Sequence, residues 1–208
     1  MKSKLAICLI ILMSFFTTNI FYANSNEINI FEKEPKIISR KEWKAKLPIK
    51  KMLTHEPKII TIHHSGIFSA KKINIFEKMQ NLQKYSQSSE KMQNGKIKEV
   101  WADVPYHFVI SGTGEIAEGR EINFSGDTNT EYNPENHILI DVLGNFEEQI
   151  PTEEQINSLT QLCYYLAKKH NISVEKINAH NYYAKTDCPG KNLSKIIPQI
   201  KEKLKIIF

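Results

Sequence analysis

The chain has 208 residues, 41% of them hydrophobic and 25% charged, and a formal net charge of +5. That length allows one compact domain with its own core, even after an N-terminal leader is discounted. Lysine is spread along the chain as on a solvated surface, and no basic cluster with interleaved aromatics marks a nucleic-acid site.

The opening stretch, MKSKLAICLIILMSFFTTNIFYANS (1–25), sets Lys2 and Lys4 before an apolar run from Leu5 to Phe16. Ala23 and Ser25 then fit a small-x-small cleavage site, so the stretch reads as a secretory signal peptide. The alternative is a membrane anchor, for which the run is short of the ~20 residues a span needs. Cys8 lies inside the apolar run, too early for a lipid-attachment cysteine. Cleavage removes two lysines and no acid, which leaves a mature chain of net charge +3, suited to an anionic partner. No stable membrane insertion is expected after cleavage.

Residues 26–57 are charged and lack a clean period, and are expected to be an N-terminal extension packing on the domain formed by 58–208. KIITIHHSG (58–66) is a β-rich run ending in glycine and predicts a buried strand. Ile73, Phe76, Met79 and Leu82 recur at helical spacing, followed by a polar run to Asn94 and Gly95, which predicts a helix and then a loop. PYHFVISGTGEIAEGR (105–120) reads as two strands joined by a Gly-Thr-Gly turn, and HILIDVLGNF (137–146) as another buried strand. After Pro151 a helix is expected, with Thr152 and Gln155 at capping-box spacing and Ile156, Leu159, Cys163 and Leu166 as its inner stripe. INAHNYYAKTDCPG (177–190) reads as a loop. Leu193, Ile196, Ile197, Ile200 and Leu204 predict a terminal helix that Pro198 either kinks or starts afresh. Strands alternate with helices, so the fold class is α/β: a single domain with a central mixed sheet flanked by helices.

Two cysteines follow the leader, Cys163 and Cys188. In an exported chain they could form one disulfide. Cys163, however, lies on the apolar stripe of its helix as a core thiol, and Cys188 calls for another explanation. The candidate metal ligands are the His63-His64 pair, His180 and Cys188. Imidazole and thiolate are natural zinc ligands, and a catalytic zinc keeps three protein ligands and an open position. Zinc would also keep Cys188 as thiolate. On a strand His63 and His64 point to opposite faces, so at most one enters such a site, and the apolar character of both faces does not choose between them. Asp141 stands out in the apolar run ILIDVLG, where a buried carboxylate is costly unless paired or functional.

SRKEWKAKLP, ITIHHSG, VWADVPYHFVISGTGEIAEGRE, VLGNFEEQIPTEEQ and AHNYYAKTDCPG occur in that order, from about residue 38 onward. Together they resemble the type 2 family of zinc-dependent N-acetylmuramoyl-L-alanine amidases, which includes the peptidoglycan recognition proteins and the phage lysozyme-type amidases. The resemblance implies a sheet of about five strands with helices on both faces and zinc at the floor of a surface groove. It implies His63, His180 and Cys188 as metal ligands, and Tyr106 as a phenol facing the zinc, suited to support a water or an oxyanion. Asp141 matches in position a glutamate that serves as base in one branch, though it is a methylene shorter. Thr186 stands where the family carries lysine or threonine near the metal, and is expected to be catalytic with Tyr106 and Asp141, donating a hydrogen bond where lysine would bring charge to the oxyanion. His64 and Asn145 would line the groove and touch substrate. The Gly-His-Arg common around the second ligand is replaced here by Ala179-His180-Asn181.

Non-catalytic recognition proteins of the family typically lack the cysteine, so Cys188 favours an enzyme. The implied reaction is hydrolysis of the amide between N-acetylmuramic acid and L-alanine. The implied partners are peptidoglycan or its muropeptide fragments, acted on by a monomer in the periplasm or outside the cell. The alternative is a recognition module that binds peptidoglycan without cutting; a zinc peptidase acting within the stem peptide is a third possibility. His107 is read as structural, and His55, His137 and His170 as surface or core residues.

Overall fold

The computed structural model describes residues 33–90, 95 and 97–208, and the signal peptide expected over 1–25 lies outside them. Residues 35–208 form one unit built on a six-stranded sheet. Its strands are β1 (Ile37–Ile38), β2 (Ile59–His64), β3 (Phe108–Ile110), β4 (Ile116–Glu118), β5 (His137–Val142) and β6 (Ile177–Ala179). They lie in the order β1-β4-β3-β5-β2-β6. All neighbours are parallel except β3 and β4, the predicted hairpin. The mixed sheet and its helices bear out the α/β expectation. The count exceeds the expected five because β1 and β6 are only two and three residues long, too short to show a period.

β2 and β5 are central and buried, in keeping with their β-branched, nearly continuous apolar sequences. They pair in register from Ile59 with His137 to His64 with Val142. Alternation sends Val109 of β3 and Ala117 of β4 to one face. There they meet Trp43, Ile75, Met79, Val104 and Leu143 in a common core. Trp43 is fully buried, and its indole N–H donates to the Glu118 carbonyl at 2.7 Å. Helix α1 (Ile75–Ser86) lies over this face. It starts at Ile75 because the Asn74 side chain caps the N–H groups of Phe76 and Glu77, as a short polar side chain does at an N-cap. Met79 faces inward as the spacing predicts, but Phe76 is 39% exposed, and Gln83 takes the inner position instead.

Helix α2 (Glu153–Lys169) carries the predicted capping box between Thr152 and Gln155. Leu159, Cys163 and Leu166 are buried along its inner stripe. The expected terminal helix divides into α3 (Lys191–Ser194) and α4 (Ile197–Ile207). Pro198 falls in the first turn of α4, where its missing N–H leaves no hydrogen bond unmade. Of the two readings of Pro198, the fresh start is the one observed. The stretch expected as a loop from 177 opens instead as edge strand β6, which pairs Ile177 with Ile60 and Ala179 with Ile62. No helix among the described residues is long and apolar enough to cross a membrane.

Candidate metal centre

The three parallel strands β5, β2 and β6 end side by side, and their carboxyl ends deliver Asp141, His63 and, one residue past β6, His180. Ligands in open α/β sheets gather outside such strand ends. Cys188 arrives on the loop that follows. Its backbone is held on both sides: the Asn181 N–H donates to the Cys188 carbonyl at 2.9 Å, and the Cys188 N–H donates to Thr186 Oγ1 at 3.2 Å. Gly190 lets this loop close on the 146–147 segment. Its φ is +88°, and an added Cβ would sit 2.4 Å from the Phe146 carbonyl carbon, so only glycine fits.

His63, His180 and Cys188 each bring one ligand atom to within 4.8 Å of the others, a grouping able to hold a metal ion. Cys188 Sγ is 3.7 Å from His63 Nδ1, and the two imidazole centroids are 4.3 Å apart. His180 Nδ1 is buried and has no hydrogen-bond partner. Buried polar atoms are nearly always paired, and a cation held among these three residues would supply the partner that the protein does not. Both cysteines are free thiols, and Cys163 is fully buried; the disulfide alternative is not formed.

The electrostatics agree with the donor chemistry. Burial, followed by the neighbouring His180, holds His63 well below the usual imidazole range. Burial brings His180 down to about 4. Both rings are therefore neutral at physiological pH and have a lone pair to give. Burial pushes the Cys188 thiol up to about 12, so without a cation it keeps its proton. A bound divalent ion would reverse that, because coordination deprotonates a thiol outright.

A cleft of about 170 Å³ opens over the cluster. His64, Tyr106, Trp101 and the 127–130 segment are among its walls. His64 lies beyond the ligand set because its Nδ1 accepts the Phe146 N–H at 3.2 Å. Its own backbone N–H donates to Cys188 Sγ at 3.3 Å. The Tyr106 ring centroid is 5.3 Å from that of His63. Burial, then the charges of Asp141 and Cys188, hold its phenol well above the usual tyrosine range.

Asp141 shares a register position with His63, so it points to the same sheet face, but it is 1% exposed and is not among the residues lining the cleft. Burial raises its carboxyl to about 7, and its Oδ1 has no hydrogen-bond partner. Thr186 and Asn145 serve as turn residues. The Thr186 hydroxyl accepts the Cys188 N–H as above, and Asn145 Oδ1 accepts the Glu147 N–H at 3.2 Å. Neither is among the residues lining the cleft.

Two residues that sequence reasoning passed over stand directly behind the ligands. Thr130 Oγ1 is 2.8 Å from His180 Nε2, and Tyr132 Oη is 3.3 Å from His63 Nε2. They sit in SGDTNTEYNP, a polar stretch without periodicity. His107 behaves as the structural residue expected: its Nε2–H donates to the Phe124 carbonyl at 2.9 Å, and its Nδ1 accepts the Leu139 N–H at 2.8 Å.

Comparison with known proteins gives consistent results. A family model described as N-acetylmuramoyl-L-alanine amidase matches residues 53–191. Peptidoglycan-recognition protein SD of Drosophila melanogaster is 31% identical over 175 residues, which cover 80% of this chain and 86% of that protein. The crystal structure of the Drosophila SD protein superposes with a TM-score of 0.68 at 28% identity, over 80% of this chain and 95% of that chain. The N-acetylmuramoyl-L-alanine amidase LysC from Clostridium intestinale URNW superposes with a TM-score of 0.65 at 26% identity. That match covers 83% of this chain and 99% of LysC.

Proposed function

From the premise that the chain belongs to the type 2 N-acetylmuramoyl-L-alanine amidase family, which also contains the peptidoglycan recognition proteins, we propose that it is an exported zinc amidase. Its substrate would be peptidoglycan or muropeptide fragments, cut at the amide between N-acetylmuramic acid and the L-alanine of the stem peptide. The observation that carries this reading is the complete His63, His180, Cys188 set at the base of a cleft. Two imidazoles and a thiolate suit tetrahedral zinc, with the fourth position left to the reaction. Held by these residues, zinc would supply Lewis acidity for a substrate carbonyl and a water with a pKa of about 7.

The chain's own residues supply the rest. Tyr106 keeps its proton at neutral pH, so its O–H is available to donate to the oxygen that gains charge as the amide is attacked. Asp141, with a carboxyl near 7, is balanced between its two protonation states and suited to hold a proton close beneath the site. Its burial makes this a supporting role to Tyr106 and Cys188 rather than direct contact with substrate. Thr186 fixes the backbone of Cys188 and hence the direction of the thiol. His64 presents a partly exposed ring edge to the cleft and is assigned to substrate binding. Asn145 shapes the loop that His64 bonds, and so acts on the groove through Phe146.

The second reading, a recognition module that binds without cutting, is favoured by the name of the SD relative. One experiment separates the two. Purified protein loaded with zinc is incubated with peptidoglycan, and released peptides are identified by mass spectrometry beside a Cys188→Ala variant. Free stem peptides beginning with L-alanine are expected from the wild type, with release falling to background in the variant. Wall binding without release by the zinc-loaded wild type would establish the recognition module instead.

A further inference from the structure

Each histidine of the cluster is held from behind by a hydroxyl, and the hydroxyl behind His180 is itself part of a relay. Thr130 Oγ1 lies 2.8 Å from His180 Nε2. Thr128 Oγ1 lies 2.8 Å from Thr130 Oγ1 and accepts the Thr130 backbone N–H at 3.1 Å. The loop bearing both threonines is anchored from below. Asp127 pairs with Arg120, which is 2% exposed and also donates to the carbonyls of Val104, Asp103 and Ser125. With Nε2 engaged by Thr130, the other ring nitrogen, His180 Nδ1, is buried without a partner, and the His180 ring brings a ligand atom within 4.8 Å of those of His63 and Cys188.

A neutral imidazole carries one N–H. If the proton sits on Nδ1, that nitrogen has no lone pair for a metal, and a buried donor is left without an acceptor. If it sits on Nε2, it donates to Thr130 Oγ1, Thr130 donates its own hydrogen to Thr128 Oγ1, and the unpartnered Nδ1 keeps its lone pair for a metal. In the second arrangement each of these hydrogens has an acceptor within 3.1 Å.

The geometry points to Thr130, backed by Thr128, as the positioning residue that locks His180 in its metal-ligating tautomer. This rests on the reading of the cluster as a zinc site. The chemistry of the partner matters as well as its position. A carboxylate behind a ligating histidine raises the ligand's basicity. A neutral hydroxyl fixes the ring with less of that effect, and would leave the ligand less basic than a carboxylate partner does. Tyr132, 3.3 Å from His63 Nε2, repeats the choice at the second imidazole.

The test measures zinc affinity by competition with a chromophoric chelator at fixed pH, for the wild type, Thr130→Val and Thr130→Ser. Absorption of the cobalt(II)-loaded proteins reports ligand geometry. Valine keeps the shape of threonine and removes its hydroxyl. The expected result is zinc affinity weakened roughly 10- to 100-fold in Thr130→Val, with a shifted cobalt spectrum and unchanged thermal unfolding of the metal-free protein. Thr130→Ser restores both toward wild type. Wild-type affinity and an unchanged spectrum in Thr130→Val overturn the proposal. If Thr130→Val does not fold, Thr128→Ala decides: it leaves the Thr130 hydroxyl in place and removes the oxygen that accepts from its hydroxyl and its backbone N–H, and a several-fold loss of affinity is expected, whereas no loss overturns the proposal. A wild type that holds no zinc defeats the metal reading itself, a different failure from a variant that binds as well as its parent.

Discussion

Tyr106 and Cys188 have their ionisation pushed the same way by the same cause. Burial raises both, yet only the thiol has two imidazole nitrogens converging on it. A bound divalent cation would therefore ionise Cys188 and leave Tyr106 as a donor. Tyr106→Phe should lower kcat by roughly 10²- to 10³-fold, the usual cost of one oxyanion donor, with zinc content unchanged and KM little moved. Steady-state kinetics on a soluble muropeptide, with metal analysis of the same samples, check both. The ligand set was legible at this scale because HH, AH and CP stand in recurrent motifs around residue types that bind zinc. The choice of His63 over His64 came from the resemblance; the fold gives the reason, since the His64 Nδ1 is already engaged by the Phe146 N–H. Thr130 and Tyr132 were not legible. A hydroxyl in a polar loop has no signature until the loop is seen lying behind an imidazole.

Among the elements, α2 was read most completely, because its start is chemically marked. Thr152 Oγ1 accepts the Gln155 N–H at 3.1 Å, while its hydroxyl donates to the Gly112 carbonyl at 2.8 Å. Gln155 reciprocates to the Thr152 N–H at 3.1 Å and reaches the Leu143 carbonyl at 2.9 Å. The cap therefore ties the helix to the end of β5 and to the turn between β3 and β4. Thr152→Ala should cost about 1–2 kcal/mol, the upper part of the range for a lost cap. For a chain of this size that is a fall in Tm of roughly 2–8 °C, with Thr152→Ser recovering most of it and zinc affinity unaffected. Thermal unfolding followed by circular dichroism measures the first, and chelator competition the second. The short strands β1 and β6 escaped the sequence because an edge of two or three residues is defined by its partner: Ile177 is a strand residue only because Ile60 lies beside it.

For the molecule as a whole, burial lowers the pKa of all seven histidines, His107 to about 3 and His137 to about 4 among them. A lowered folded value means the unfolded chain binds more protons in acid. The stability due to neutral histidines is full above the unfolded imidazole pKa of about 6.5 and is lost as pH falls below it. Asp141 opposes this. Its folded value near 7, raised by burial above the ordinary 3.8, gives stability that is present below about 4 and lost as pH rises through 7. The histidines outnumber it, so the metal-free protein should lose stability steadily from pH 7 to pH 5. Asp141→Asn removes the compensation. It should be at least as stable as wild type at pH 8, yet fall more steeply in acid, by about one extra proton, or ~1.4 kcal/mol per pH unit. Urea unfolding at several pH values, with chelator present, decides it; equal slopes would remove Asp141 from the account.

Local chemistry determined the α/β class, the central buried strands, the capped helix and the candidate ligands His180, Cys188 and the undivided His63-His64 pair, because these depend on side-chain type and near-neighbour spacing. What only the tertiary structure decided are relations between distant segments. The sheet order places the ends of β5, β2 and β6 together. Gly190 seats the cysteine loop against Phe146, and Asp141 is buried and absent from the cleft wall. The hydroxyls of Thr130 and Tyr132 come to rest behind His180 and His63, 50 and 69 residues away in the chain. A hydrogen bond acts over about 3 Å, and sequence distance carries no information on that scale until the backbone has turned the segments toward each other.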